Sequence, residues 1–310
     1  MKKSDILVLA ILIGLLAFSF YLLHSVILTK PTTLKQLGNL SGTIEQDRTV
    51  YSDGTQFYQN MRYRDRKITY YIESNCTLKK QRDIEYALEI ISNRTILTFI
   101  QTNNNPEIRY LCSNVAPEPE EEGHFVAGEG GPSEIINTSA YAVVFTGKVS
   151  LYRPETCAEP KISLHETLHA LGFDHSDNPK SIMHPVTACD QVVDQYVIDV
   201  INDLYKADSL PDLGIDKVDA NITGNYLNFN IVVVNYGLRD TQSTTLEVSA
   251  DGEAVKEFDL KDIEIGSKKF LNVVNLRIPS GSEKIEFTIV SNNPSKEISL
   301  KNNKIELVFA

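Results

Sequence analysis

The chain has 310 residues and carries 30 basic against 41 acidic side chains, a net charge of −11. At about 150 residues per domain it has room for one large or two ordinary domains. An acidic balance lacks the basic face that a phosphate backbone needs, so no nucleic-acid partner is expected. An apolar fraction of 42% with 23% charged residues excludes wholesale disorder.

Residues 1–30 read as an N-terminal anchor. Ile6 to Leu28 are apolar apart from Gly14, Ser19, Tyr21, His24 and Ser25, and about 20 helical residues span a hydrocarbon core. Lys2 and Lys3 precede the segment and Lys30 follows it, which keeps the N-terminus cytoplasmic and exports the rest. A single-pass transmembrane helix in the cytoplasmic membrane is the expectation. The alternative is a signal peptide cleaved near Ala17-Phe18-Ser19, giving a secreted protein. Residues 31–60 are polar and aperiodic and read as a stalk or linker.

Lys67 to Glu73 has strand composition, and a helix is predicted from Lys79 to Arg94, with Ile84, Ala87, Leu88 and Ile91 at i, i+3, i+4 and i+7. Glu107 to Cys112 reads as a strand. Residues 113–133 form a long loop rich in glutamate, proline and glycine, either plainly solvated or a flap or calcium site beside a cleft. Calcium has no ligand pattern there to support it. Ser133 to Ile136 and Tyr141 to Tyr152 read as strands, the second broken by a hairpin turn at Thr146-Gly147-Lys148.

The four cysteines lie beyond the apolar segment, and none forms a C-x-x-C pair. An even count in an exported chain predicts two disulfides. Three pairings are open; Cys76–Cys112 and Cys157–Cys189 close the most compact loops and are favoured. Four buried thiols are the alternative.

The chemistry concentrates between Ile162 and Pro185 (ISLHETLHALGFDHSDNPKSIMHP). His165 and His169, four apart on a helix, lie about 40° from each other on one face, where two imidazoles can reach one metal ion. Glu166 projects beside them, placed to take a proton from water. Gly172 can adopt the left-handed conformation that turns the chain back, and His175 then supplies a third nitrogen. Three protein ligands with an open fourth position characterise a catalytic zinc site.

A further helix is predicted from Asp190 to Lys206. After Ser209 the helical period disappears, and residues 214–310 show short alternating strands with turns at Asp251-Gly252 and Asn292-Asn293-Pro294. About seven strands of this kind suit an antiparallel Ig-like sandwich.

The pattern H-E-x-x-H-x-x-G-x-x-H with a downstream methionine resembles the metzincin metalloendopeptidases, and Ser176 after the third histidine is most similar to the matrixin branch. The resemblance covers residues 61–208. It implies an α+β catalytic domain, a mixed sheet with three helices, ahead of the all-β Ig-like domain read from the strand pattern. It also implies one catalytic Zn2+ on His165, His169 and His175, Glu166 as general base, and Met183 as the floor of a Met-turn. His184 is expected at the wall of the site. The function implied is hydrolysis of peptide bonds in proteins or peptides by zinc-activated water, outside the cytoplasmic membrane. The Ig-like domain could then dock to the cell surface. The alternative is a catalytically idle surface adhesion or scaffold protein.

Overall fold

The computed structural model describes residues 56–119, 125–291 and 297–309. The anchor expected over residues 6–28, and the acidic positions Glu120, Glu121, Glu122 and His124, lie outside them. Among the described residues no helix is long and apolar enough to cross a membrane.

The first part of the chain runs β1 (Met61–Tyr63), β2 (Lys67–Ile72), α1 (Leu78–Arg94), β3 (Thr98–Gln101), β4 (Ile108–Cys112), β5 (Gly128–Asn137), β6 (Ala142–Leu151), α2 (Lys161–Ala170) and α3 (Gln195–Leu204). The expected mixed sheet with three helices is present. β1, β6, β4, β2 and β3 are parallel neighbours, and β5 alone runs antiparallel, along β6. α1 starts at Thr77, whose hydroxyl accepts the Lys80 N–H, and buries Ile84, Ala87, Leu88 and Ile91, the apolar stripe read from the sequence. The disulfide Cys76–Cys112 ties its start to the end of β4, and Cys157–Cys189 brackets α2 and the loop after it. In the chain-entropy model each closure of this size is worth about 4 kcal/mol.

Three expectations are corrected. No hairpin interrupts β6 at Thr146-Gly147-Lys148; the strand is continuous from Ala142 to Leu151. Gly147 is there for closeness, since a Cβ would strike the Tyr63 hydroxyl. The loop expected over residues 113–133 ends early, because β5 begins at Gly128. The last helix starts at Gln195, not Asp190, since Asp190 to Asp194 cross back over the loop after α2, where Ile182 N–H bonds the Val192 carbonyl.

Arg62 is wholly buried and gathers the C-terminal end of α3. Its guanidinium donates to the carbonyls of Tyr63, Arg64, Leu204 and Ala207, and lies 4.2 Å from the Tyr205 ring centroid. Helix-end carbonyls that have no partner in the helix are thereby satisfied by a cation.

Seven antiparallel strands follow: β7 (Leu213–Thr223), β8 (Tyr226–Asn235), β9 (Thr244–Ala250), β10 (Glu253–Asp259), β11 (Lys268–Arg277), β12 (Lys284–Ser291) and β13 (Lys304–Val308). They form two sheets, β10-β9-β12-β13 and β11-β8-β7. With no cysteine in this region, the space between the sheets is held by side chains such as Leu227, Phe229, Ile231, Leu246, Phe287 and Ile289. Asp251-Gly252 makes the β9–β10 turn with both residues at positive φ, 49° and 88°.

The sandwich packs on the start of β6. Leu238 and Ile265 share a buried apolar cluster with Ala140, Tyr141 and Val143. Thr138 donates to the Tyr236 carbonyl at 2.8 Å, and Arg239 pairs with Asp65 at 2.5 Å. Both ends of that ion pair are more than a third exposed, so Arg239→Ala should cost under about 1 kcal/mol. Leu238→Ala, at a fully buried position, should cost about 2–5 kcal/mol. Denaturant midpoints of the two variants check this ordering.

Candidate metal centre

α2 carries the site, and every one of its ten residues is buried. A helix buried on all sides cannot be amphipathic, so its polar groups must find partners inside. Thr167 donates to the Ser163 carbonyl at 2.6 Å and lies 3.0 Å from the Tyr110 hydroxyl. Lys161 reaches Glu159 and the Gln191 carbonyl. Pro160 at the N-cap offers no side-chain acceptor. Glu155, five residues earlier, takes that place and accepts the Ser163 N–H at 2.9 Å. At the other end Tyr63 donates to the Ala170 carbonyl at 3.0 Å. Neither partner was legible in the sequence, because both come from outside the helix.

The chain leaves α2 at Gly172, with φ +101°; a Cβ there would lie 2.5 Å from Met61 Cγ. The turn points the Phe173 carbonyl back at His169 Nδ1, 2.7 Å away, and the Ile182 carbonyl lies 2.6 Å from His165 Nδ1. Carbonyl oxygens only accept, so both Nδ1 atoms carry the proton and both Nε2 atoms present lone pairs. Those Nε2 atoms are 2.9 Å apart, and His175 Nε2 is 3.2 Å from that of His169. Nitrogens held at about 2.0–2.1 Å by a tetrahedral zinc stand roughly 3.3 Å apart. Three imidazole Nε2 atoms thus converge on one point, two of them with their lone pairs turned inward, and the donor set and spacing fit a zinc ion.

Burial, with repulsion from neighbouring imidazoles, pulls His165 down to about 3 and His169 down to about 4. Both are neutral at pH 7, as ligation requires. Glu166 is pushed up to about 8 by burial, with a smaller contribution from the charge of Glu129. Met183 is buried, and its carbonyl accepts the Ser176 N–H at 2.9 Å. Ser181, fully buried, donates to Asp194 and accepts the Met183 N–H, which pins this turn to the start of α3. A cavity of about 200 Å³ behind it is lined by Ser176, Met183, Asp194 and Tyr196 among others. His184 lies near enough for its charge to act on His165, and its Nδ1 accepts the Val186 N–H at 3.2 Å.

Two elements that the sequence reading placed in loop and linker belong to this centre. β5 lies directly on α2, and its alternation aims Gly128 and Gly130 at the helix. A Cβ on Gly128 would lie 2.6 Å from Glu166 Cγ, and one on Gly130 would collide with the Glu166 backbone carbonyl. From the other side Phe57 stacks on the His169 ring at 5.7 Å, and its N–H donates to the Gly172 carbonyl.

A buried H-E-x-x-H helix, a third histidine past a glycine turn and a methionine turn closed against the next helix are the arrangement that the metzincin resemblance implies. Residues 62–206 match the family model described as Matrixin, and residues 210–307 match that described as CARDB. The chain is a matrixin-like domain followed by a C-terminal CARDB-type β domain. No curated protein matches it. Among solved structures it is similar to the CARDB domain of a Pyrococcus furiosus protein in complex with di-metal ions, at 19% identity over 33% of this chain and 90% of that one, with a TM-score of 0.28. A domain of a Methanosarcina acetivorans protein described as a cell surface protein is similar at 16% identity, over 33% and 93%, with a TM-score of 0.27.

Gly130→Ala should destabilise the protein by about 1–3 kcal/mol, since backbone, not a side-chain tip, must move. Gly131→Ala, where a Cβ meets nothing within 4 Å, is the neutral control in the same denaturation series. The depressed histidines predict acid sensitivity of the metal-stripped protein. The unfolded chain binds protons below about 6.5, whereas the folded one does so only near 4 and 3. Stability should therefore fall as pH drops through that window, and the slope should shrink in His165→Gln.

Proposed function

We propose that the chain is a zinc-dependent endopeptidase that acts outside the cytoplasmic membrane, held there by the apolar segment at residues 6–28 or secreted after its removal. The observation that carries the reading is the convergence of three imidazole Nε2 atoms with Glu166 alongside. An arrangement serving structure alone has no use for a buried carboxylate beside its ligands. His165, His169 and His175 would hold the metal. Bound there, zinc supplies a Lewis acid that polarises a peptide carbonyl and makes water nucleophilic at neutral pH.

The remaining steps belong to the chain itself. Glu166, beside the ligand nitrogens, would take a proton from the attacking water and return it to the leaving amine. Of the named strands only β6 pairs with β5. Its outer edge therefore offers backbone donors and acceptors to an extended peptide, which would cross Glu166. That geometry supports protein and peptide substrates. Export is supported by the two disulfides, which persist in oxidising compartments. The CARDB-type domain would dock the enzyme at the cell surface.

The test is zinc content and cleavage of a peptide library by the full chain. Glu166→Gln should keep the zinc and lose about 10²–10⁴-fold in kcat/KM, while His169→Ala should lose the metal. Zinc retained without cleavage by the unaltered protein would favour an idle surface scaffold instead.

A further inference from the structure

A second group of buried oxygens lies in the C-terminal domain, where the linker from α3 passes into β7. Asp212 is fully buried immediately before that strand. The next residue, Leu213, donates its N–H to Glu297 Oε2 at 3.0 Å, and Asn303 Nδ2 reaches the same oxygen at 3.1 Å. Asn302 Nδ2 stands 3.4 Å from Asp212 Oδ1, and Ile215 N–H donates to the Asn302 carbonyl. Gly214 leaves the room this needs, since a Cβ would lie 2.7 Å from Asn302 Nδ2. Two carboxylates and two carboxamides from distant parts of the sequence are thus packed together.

Three oxygens of this group, Glu297 Oε1, Asn302 Oδ1 and Asn303 Oδ1, are buried with no hydrogen-bond donor in reach, although the Ser291 hydroxyl is near enough to Glu297 to favour its charged form. Asn302 and Asn303 are only 5% and 4% exposed, so bulk water does not serve them. Buried acceptors left unsatisfied are few in native proteins and call for an explanation. A half-turn of either amide exchanges its nitrogen and oxygen. It sets Asn302 Oδ1 beside Asp212, or Asn303 Oδ1 beside Glu297. Like dipoles resist that arrangement unless a cation lies between them.

We propose that Asp212, Glu297, Asn302 and Asn303 form a calcium site that fastens the linker to the 297–303 segment of the sandwich. With both amides half-turned the donors are all oxygen, which suits a hard cation and not zinc. Calcium accepts irregular cages of carboxylate and amide oxygens, whereas magnesium demands octahedral geometry and retains its waters. The site shares no residue with the imidazole centre, and the inference does not depend on peptidase activity.

The experiment titrates the zinc-loaded full chain with CaCl2 and reads heat of binding and thermal unfolding, with MgCl2 in parallel. Calcium should bind in the range of extracellular modules, about 10⁻⁴–10⁻³ M, and raise Tm more than magnesium does. Glu297→Gln should weaken binding at least tenfold. Asn303→Asp is the decisive variant: an added ligand charge should tighten calcium binding while lowering Tm in chelator. His169→Ala should keep the calcium response. Absence of a calcium effect in the unaltered chain would overturn the proposal. So would an effect unchanged by both cage variants, or loss of stability in Asn303→Asp that calcium does not repair, which is the result expected if water fills the group.

Discussion

Two backbone carbonyls govern this structure. Neighbouring histidines on one helical turn can bind a metal only if both aim lone pairs at the same point, and a neutral imidazole has two tautomers to choose between. The carbonyls of Phe173 and Ile182 make the choice by accepting the Nδ1 protons of His169 and His165. Each has to be delivered from outside the helix. Phe173 is turned back by Gly172 at positive φ, over a Met61 side chain that leaves no space for a Cβ. Ile182 sits in a loop latched to Asp194 through Ser181, tied to Val192 through its own N–H, and enclosed by the Cys157–Cys189 bridge. The glycine turn, the methionine turn and the disulfide therefore serve one end, the direction in which two protons point.

Burial is the second half of that constraint. Taking α2 out of water keeps His165 and His169 neutral and raises the proton affinity of Glu166. It also strands the helix's polar groups, and the fold answers each with a borrowed side chain: Glu155 at the N-terminus, Tyr110 at Thr167, Tyr63 at the C-terminus. The same pattern recurs where Arg62 takes up the carbonyls that end α3.

What could be read from the sequence follows from how local its causes are. The histidines, Glu166 and Gly172 fall within one turn of helix and its exit, so spacing alone brings them together. The apolar face of α1 is equally local, and so is the Asp251-Gly252 turn. β5 was illegible as far as Gly131 because its sequence, Gly128-Glu129-Gly130-Gly131-Pro132, has the composition of a loop. Gly128 and Gly130 answer to a helix more than 30 residues away. Gly147 was misread as a turn for the same reason, its neighbour being Tyr63. The residues gathered by the Arg62 guanidinium, and by Glu155, leave no periodic trace, since charge in a buried, paired position looks in sequence like any surface charge.

β5 also joins the two halves of the molecule. Its first residues rest on Glu166, and its last, Ile136 and Asn137, abut Gly266 of the sandwich, where a Cβ would lie 2.8 Å from Ile136 Cγ2. Thr138, the next residue, bonds the Tyr236 carbonyl. The strand that bounds the centre is therefore supported at one end by the helix carrying Glu166 and at the other by the β domain. Packed interiors transmit displacement because they have few voids to absorb it. The sandwich, through Ala140, Tyr141 and Val143, packs on one end of the strand, and the other end is in close contact with Glu166. The C-terminal domain is in this sense part of the frame of the metal centre.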